Sequence, residues 1–273
     1  MSSKMWAPSW GGLALVGVFF LIGLLLGSFA TLAMTNAGCS TQACLLVSYP
    51  LMFLPAVLFT VIMTRKKGAV TSALDVPVKS PIKIAPIVMA MTFMAGFMTD
   101  ALNALLPEMP QWLIDSLSTA TEGNFWLNFL CVCVMAPVLE EWLCRGIVLR
   151  GLVRGGSPAW LAITVSATFF AIIHGNMWQA LPAFLLGCLF GYVYYRTGSI
   201  KLTMLMHFTN NFISLVLSRI PSIEDTDTWM SIMPLWLYWL LFALFALVLV
   251  LGIRTIRRIY IMDPKDISSP LKG

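Results

Sequence analysis

Long apolar runs broken by short polar stretches fill this chain. They fall at about 11–34, 43–64, 84–106, 125–149, 158–175, 178–195, 200–218 and 233–253. Most reach the roughly 20 residues that an α-helix needs to cross a hydrocarbon core. The pattern predicts an all-α polytopic membrane protein with about eight transmembrane helices, in a single membrane domain over 1–273. The first run is too long for the apolar core of a signal peptide, and only Lys4 precedes it as a basic residue. It reads as a retained span.

Composition sharpens this picture. The chain is 59% hydrophobic and 11% charged, whereas soluble domains carry about one quarter charged residues. The net charge of +5 has a topological explanation and is no nucleic-acid signal. With a cytoplasmic N-terminus, every Lys and Arg except Arg145 and Arg219 falls in a cytoplasmic segment or at the inner end of a span. That is the positive-inside distribution. The outer loops carry Glu108, Asp115, Glu122, Glu224, Asp225 and Asp227. Both termini are therefore expected in the cytoplasm, and in a prokaryote the protein would be multi-pass in the plasma membrane.

Two glycine pairs, Gly23/Gly27 and Gly187/Gly191, have the small-xxx-small spacing that lets helices approach closely. Cys131, Cys133, Cys144 and Cys188 lie in spans and read as small apolar fillers. Cys39 and Cys44 flank a short outer loop, where a disulfide is conceivable in an oxidising compartment. Asp100, near the outer end of the third run, reads as an interfacial polar residue rather than a catalytic one.

The fourth run holds Ala136-Pro-Val-Leu-Glu-Glu-Trp-Leu-Cys-Arg145. Ionisable residues inside a span are costly and mark function by default. The two histidines of the chain, His174 and His207, also fall in apolar runs. Residues four apart share a helix face, so Glu141 and Arg145 can pair, as can His207 and Asn211, and Phe170 and His174. Glu140 points about 100° away from Glu141 and stays free for chemistry. Pro137 removes a helical hydrogen bond and can open the helix just before Glu140. Depth is less accommodating. Glu140 should lie roughly 15 Å from an inner end near Arg150, His207 roughly 10 Å from Ile200, and His174 roughly 24 Å from Pro158.

Glu140-Glu-Trp-Leu-Cys-Arg145 matches an EExxxR motif, Phe170-Ala-Ile-Ile-His174 matches FxxxH, and His207-Phe-Thr-Asn-Asn211 matches HxxxN. In this order on membrane helices, they resemble the CAAX-protease and bacteriocin-processing family of intramembrane endopeptidases, which includes the type II CAAX prenyl endopeptidases. The resemblance covers a core of about 125–215. It implies hydrolysis of a peptide bond in a membrane-embedded or lipidated peptide, prenylated or leader. By resemblance, Glu140 would activate water with help from His174. His207 and Asn211 would stabilise the oxyanion, with Glu141, Arg145 and Phe170 in support. The chemistry is sound in general terms: a desolvated carboxylate can take a proton from water, and an amide or imidazole N–H can donate to an oxyanion.

Other readings use the same atoms. Glu140, His174 and His207 are also a possible zinc set with water in the open position. The leading expectation is metal-independent glutamate catalysis. Buried Glu, His, Asn and Arg also mark transporters and proton relays, although no internal repeat is visible here. A non-enzymatic immunity or scaffold protein could keep the same fold.

Overall fold

A computed structural model describes residues 4–78, 80–121, 123–220 and 228–259. Lys79, Glu122, Glu224, Asp225, Asp227, Lys265 and Lys272 lie outside the described residues, so the sidedness expected of them is not examined by the fold.

Eight long helices stand where the apolar runs predict. They are α1 (Trp10–Asn36), α2 (Thr41–Arg65) and α3 (Pro81–Asn103). A short amphipathic helix α4 (Gln111–Thr121) precedes α5 (Phe125–Arg154). Then come α6 (Ala159–Ile173), α7 (Met177–Thr197) and α8 (Ile200–Leu217). A one-turn helix α9 (Trp229–Ile232) leads into α10 (Leu235–Ile259). Among the described residues six helices are long and apolar enough to cross a membrane. The two of the eight outside that set are α6, a shorter apolar helix, and α8. α8 is made less apolar by Lys201, His207, Asn210 and Asn211.

The apolar runs do not foretell a two-stranded antiparallel ladder, β1 (Lys4–Trp6) with β2 (Thr71–Ala73). Arg150 locks it. Read from the sequence as an inner-end basic residue, Arg150 is fully buried. Its guanidinium donates to Ser72 O at 3.1 Å, Met5 O at 3.2 Å and Trp6 O at 2.7 Å. Carbonyls that a short ladder leaves open thus gain a charged donor. Nearby, Val76 N–H donates to Gly198 O, Lys201 pairs with Asp75 at 3.3 Å, and Arg196 donates to Arg257 O. Described segments expected on one side of the membrane therefore gather at one end of the molecule.

At the opposite end, Arg219 donates to Gly123 O at 3.1 Å and lies over the Phe125 ring. Asp100 is buried, bonded to backbone N–H groups of α9. Cys39 and Cys44 are free thiols, one exposed and one buried, so the loop disulfide considered from the sequence is absent.

Glycine sets the closest helix approach. A Cβ at Gly23 would collide with the Met52 backbone carbonyl, and one at Gly27 would stand 2.7 Å from Met52 Cγ. α1 therefore packs backbone to backbone on α2, as small-xxx-small spacing allows. Gly187 meets Ala167 and Arg145 in the same way, and Gly191 meets Ile163 and Leu149.

Gly23→Leu is expected to destabilise the protein by about 1–3 kcal/mol through overpacking. Gly11→Ala, where nothing lies within 4 Å, serves as the silent control. Thermal unfolding in detergent measures both.

Candidate active site

The site begins with a backbone irregularity. α5 is π-helical over Phe129–Met135 and again over Trp142–Leu149, with the α-helical turn Ala136–Glu141 between. Ala136 N–H bonds back five residues, to Cys131 O. The matching donor for Val132 O would be residue 137, but Pro137 has no N–H. Asn211 of α8 supplies it, donating from Nδ2 to Val132 O at 2.8 Å. The opening predicted at Pro137 thus fastens one candidate residue, and π-bulges of this kind gather at functional sites.

Glu140 and Glu141 diverge as adjacent helical positions must. Glu141 is fully buried and accepts from Arg145 Nη1 at 2.9 Å and from His207 Nδ1 at 3.1 Å, both at Oε1. Arg145, also fully buried, donates its Nη2 to Gly187 O at 2.9 Å and stacks 4.6 Å from the centre of Phe170. The expected Glu141–Arg145 pair forms, and it takes in His207 as well. A carboxylate only accepts, so His207 carries its proton on Nδ1. Nε2 then has a proton to donate only in the cationic ring.

His174 caps the C-terminus of α6. Its Nδ1 donates to Phe170 O at 2.9 Å, which leaves the Nε2 lone pair of the neutral ring available. Gly175 follows at φ +68, and Asn176 caps α7 by accepting from Gln179 N–H. The left-handed glycine and the Asn cap turn the chain within two residues and hold His174 at the bend. Phe170 joins the pieces, with its ring centre 5.1 Å from that of His174 and 5.2 Å from that of His207.

Glu140, Phe170, His174, His207 and Asn211 all line one cavity of about 640 Å³. The depth gap between Glu140 and His174 closes for a simple reason. α5 runs a further turn beyond Arg150 to Arg154, so Glu140 stands about 21 Å from its inner end, close to the roughly 22 Å length of α6.

One cavity residue that touches Glu140 has no signal in the three motifs. Tyr49 of α2 donates its hydroxyl to Glu140 Oε1. Glu140 Oε2 is buried with no partner among the described residues, and so is the oxygen left for chemistry. A mid-span tyrosine looks like many others in a sequence, and only tertiary packing reveals its partner. Asn210 also lines the cavity, and it donates to Asn211 Oδ1 at 3.2 Å.

The donor types of Glu140, His174 and His207 suit zinc, and the Nδ1 partners of both imidazoles orient them as outer partners do in metal sites. Among the described residues, however, no three His, Cys, Asp or Glu side chains gather into a group able to hold a metal. This arrangement does not fit the ion, and no step is derived through it.

Residues 122–213 match a family model described as Rce1-like, type II CAAX prenyl endopeptidase. The match begins just before α5, ends within α8 and contains all three motifs. Through that segment, about a third of the chain, the protein is similar to this family. No curated protein and no solved structure matches.

Tyr49→Phe is expected to lower kcat roughly tenfold, the worth of a hydrogen bond to a carboxylate. Arg145→Met is expected to cost about 3–5 kcal/mol, since it leaves the Glu141 charge buried against His207 alone. Thermal unfolding checks it.

Proposed function

We propose that this protein is an intramembrane endopeptidase that cleaves a membrane-associated peptide by glutamate-activated water. The observation that carries the reading is the convergence of Glu140, His174, His207 and Asn211, from three separate helices, on one cavity. As a water oxygen adds to the scissile carbonyl carbon, Glu140 Oε2 takes its proton, and the His174 Nε2 lone pair orients the water. The carbonyl oxygen becomes an oxyanion, which accepts from cationic His207 and from the Asn211 amide. Glu140 then passes the proton to the departing amine nitrogen as the C–N bond breaks, leaving one new carboxyl and one new amine end.

The support is chemical as well as spatial. Glu141 accepts from Arg145 and from His207 beside the place where negative charge develops. Phe170 packs edge-on against both imidazoles. The substrate class suggested by the family is a peptide carried in or on the bilayer, lipidated or not.

The test is cleavage of membrane and prenylated peptides by purified protein in detergent. Wild type, Glu140→Gln and His207→Ala are compared, each with and without a zinc chelator. The reading expects cleavage that both variants lose by about 10²-fold or more, with unchanged folding and no chelator effect. With Glu140 as the base, the rate should fall at low pH. An acid limb that persists in Glu140→Gln would remove Glu140 as the base. Chelator-sensitive cleavage restored by metal would move the mechanism to zinc. Retained phenotype in a folded Glu140→Gln protein would instead favour transport or a scaffold role.

A further inference from the structure

One wall of the cavity takes no part in the reaction described above. It is the face of α3 that carries Thr92, Gly96, Thr99 and Asn103. Their spacings of four, three and four place them along one side of the helix. A polar stripe on a span is costly unless its groups find partners. Two of them do so locally: the Thr92 hydroxyl donates to Val88 O at 2.8 Å, and the Thr99 hydroxyl to Gly96 O at 2.7 Å. Asn103 does not, and its Oδ1 is buried with no hydrogen-bond partner among the described residues.

Asn210 of α8 meets this stripe at Gly96. A Cβ on Gly96 would stand 3.4 Å from Asn210 Oδ1, so the absence of a side chain there leaves the amide oxygen uncovered. One Asn210 N–H is engaged, on Asn211 Oδ1 at 3.2 Å. A side-chain amide has a second N–H and two acceptor positions on its oxygen. Neither that N–H nor the oxygen makes a hydrogen bond among the described residues. A free N–H beside a free C=O is the complement of a peptide group, which offers the same pair in reverse. The contact with Asn211 sets this amide next to the residue assigned to the oxyanion, within reach of the peptide group adjoining the scissile bond. Phe93 and Phe97 of α3 and Leu186 and Phe190 of α7 line the same space and offer apolar seats for substrate side chains.

We propose that Asn210 is a substrate-binding residue whose side-chain amide pairs with a main-chain peptide group beside the scissile bond, laying the substrate in extended form along the α3 face at Gly96. Asn103 Oδ1 accepts a second main-chain N–H further along. Gly96 and Asn103 are separated by a rise of about 10 Å, the length of about three residues of extended chain. An extended peptide away from water has main-chain groups that its own backbone cannot satisfy, and these amides satisfy them. Main-chain pairing supplies affinity for peptides of differing sequence, while the apolar seats select side chains. The proposal rests on the endopeptidase reading for the peptide nature of the ligand, and on the free amide beside Gly96 for the mode of binding.

The test sets amide against ester. A fluorescein-labelled peptide bearing a farnesyl cysteine is prepared with all its peptide bonds, and again with an ester replacing one peptide bond at each position in turn. Each ester deletes one main-chain N–H and weakens one carbonyl acceptor. Binding is read by fluorescence polarisation on Glu140→Gln protein in detergent, which holds the peptide without cutting it. One ester position is expected to weaken binding about tenfold, the worth of a hydrogen bond. With Asn210→Ala added, the all-amide peptide should bind about tenfold more weakly and that ester penalty should vanish. Gly96→Val, which covers the Asn210 oxygen and leaves the residue in place, should also remove the penalty, and serves if Asn210→Ala fails to fold. A residue that merely supported Asn211 would lower kcat for amide and ester peptides alike and leave every ester penalty unchanged. That result, an absence of any ester penalty, or no binding of any of these peptides would overturn the proposal. Ester-sensitive binding without cleavage by the wild type strikes the endopeptidase reading and leaves the binding site standing. Cleavage with a penalty that neither variant alters strikes the binding site and leaves the endopeptidase reading standing.

Discussion

One carboxylate oxygen organises the centre of this protein. Glu141 Oε1 accepts from both Arg145 and His207, and so binds α5 to α8 in a region closed to water. Arg145 reaches on to a backbone carbonyl of α7, where Gly187 leaves room for it. Charges of this kind are tolerated at depth only when their partners are fixed. The requirement works in both directions: the network holds three helices in register, and their packing keeps the network dry. Glu140, one residue away, inherits a fixed backbone position while its own side chain turns to the cavity.

A second constraint acts through the main chain. π-helical winding shifts the hydrogen-bond register of α5 by one residue, and Pro137 then removes the donor that Val132 O would have used. In a bilayer a carbonyl left open is costly. Asn211 satisfies it and is thereby held beside Glu140. The amide so placed has a further N–H and faces the cavity that the other motif residues line. Structural necessity and site geometry are met by one contact.

The same logic explains why α8 falls outside the helices that are long and apolar enough to cross a membrane, whereas α6 is apolar and falls outside on length alone. They carry His174, His207 and Asn211 against protein and cavity rather than lipid. Meanwhile α1, α2 and α10 present broad apolar faces outward, with Leu25, Phe29, Ile62 and Leu240 well exposed.

The sequence by itself determined the helical architecture, because each apolar run must bury its backbone polar groups within a helix. It determined the motif residues too, since ionisable groups in apolar runs stand out by their cost. The Glu141–Arg145 pair followed from a spacing of four. It could not reveal that His207 would choose Glu141, that Tyr49 would hold Glu140, or that Arg150 would be a buried clamp rather than an inner-end charge. Those contacts join residues 66, 91 and up to 145 positions apart. Local periodicity carries no information about which distant helix supplies a partner. The depth of Glu140 was misread for a related reason: the helix end was placed at a basic residue, whereas packing on the N-terminal strand buries that residue and extends the helix. Spacing along one helix is fixed by backbone geometry, but the pairing of helices is decided only when the side chains pack.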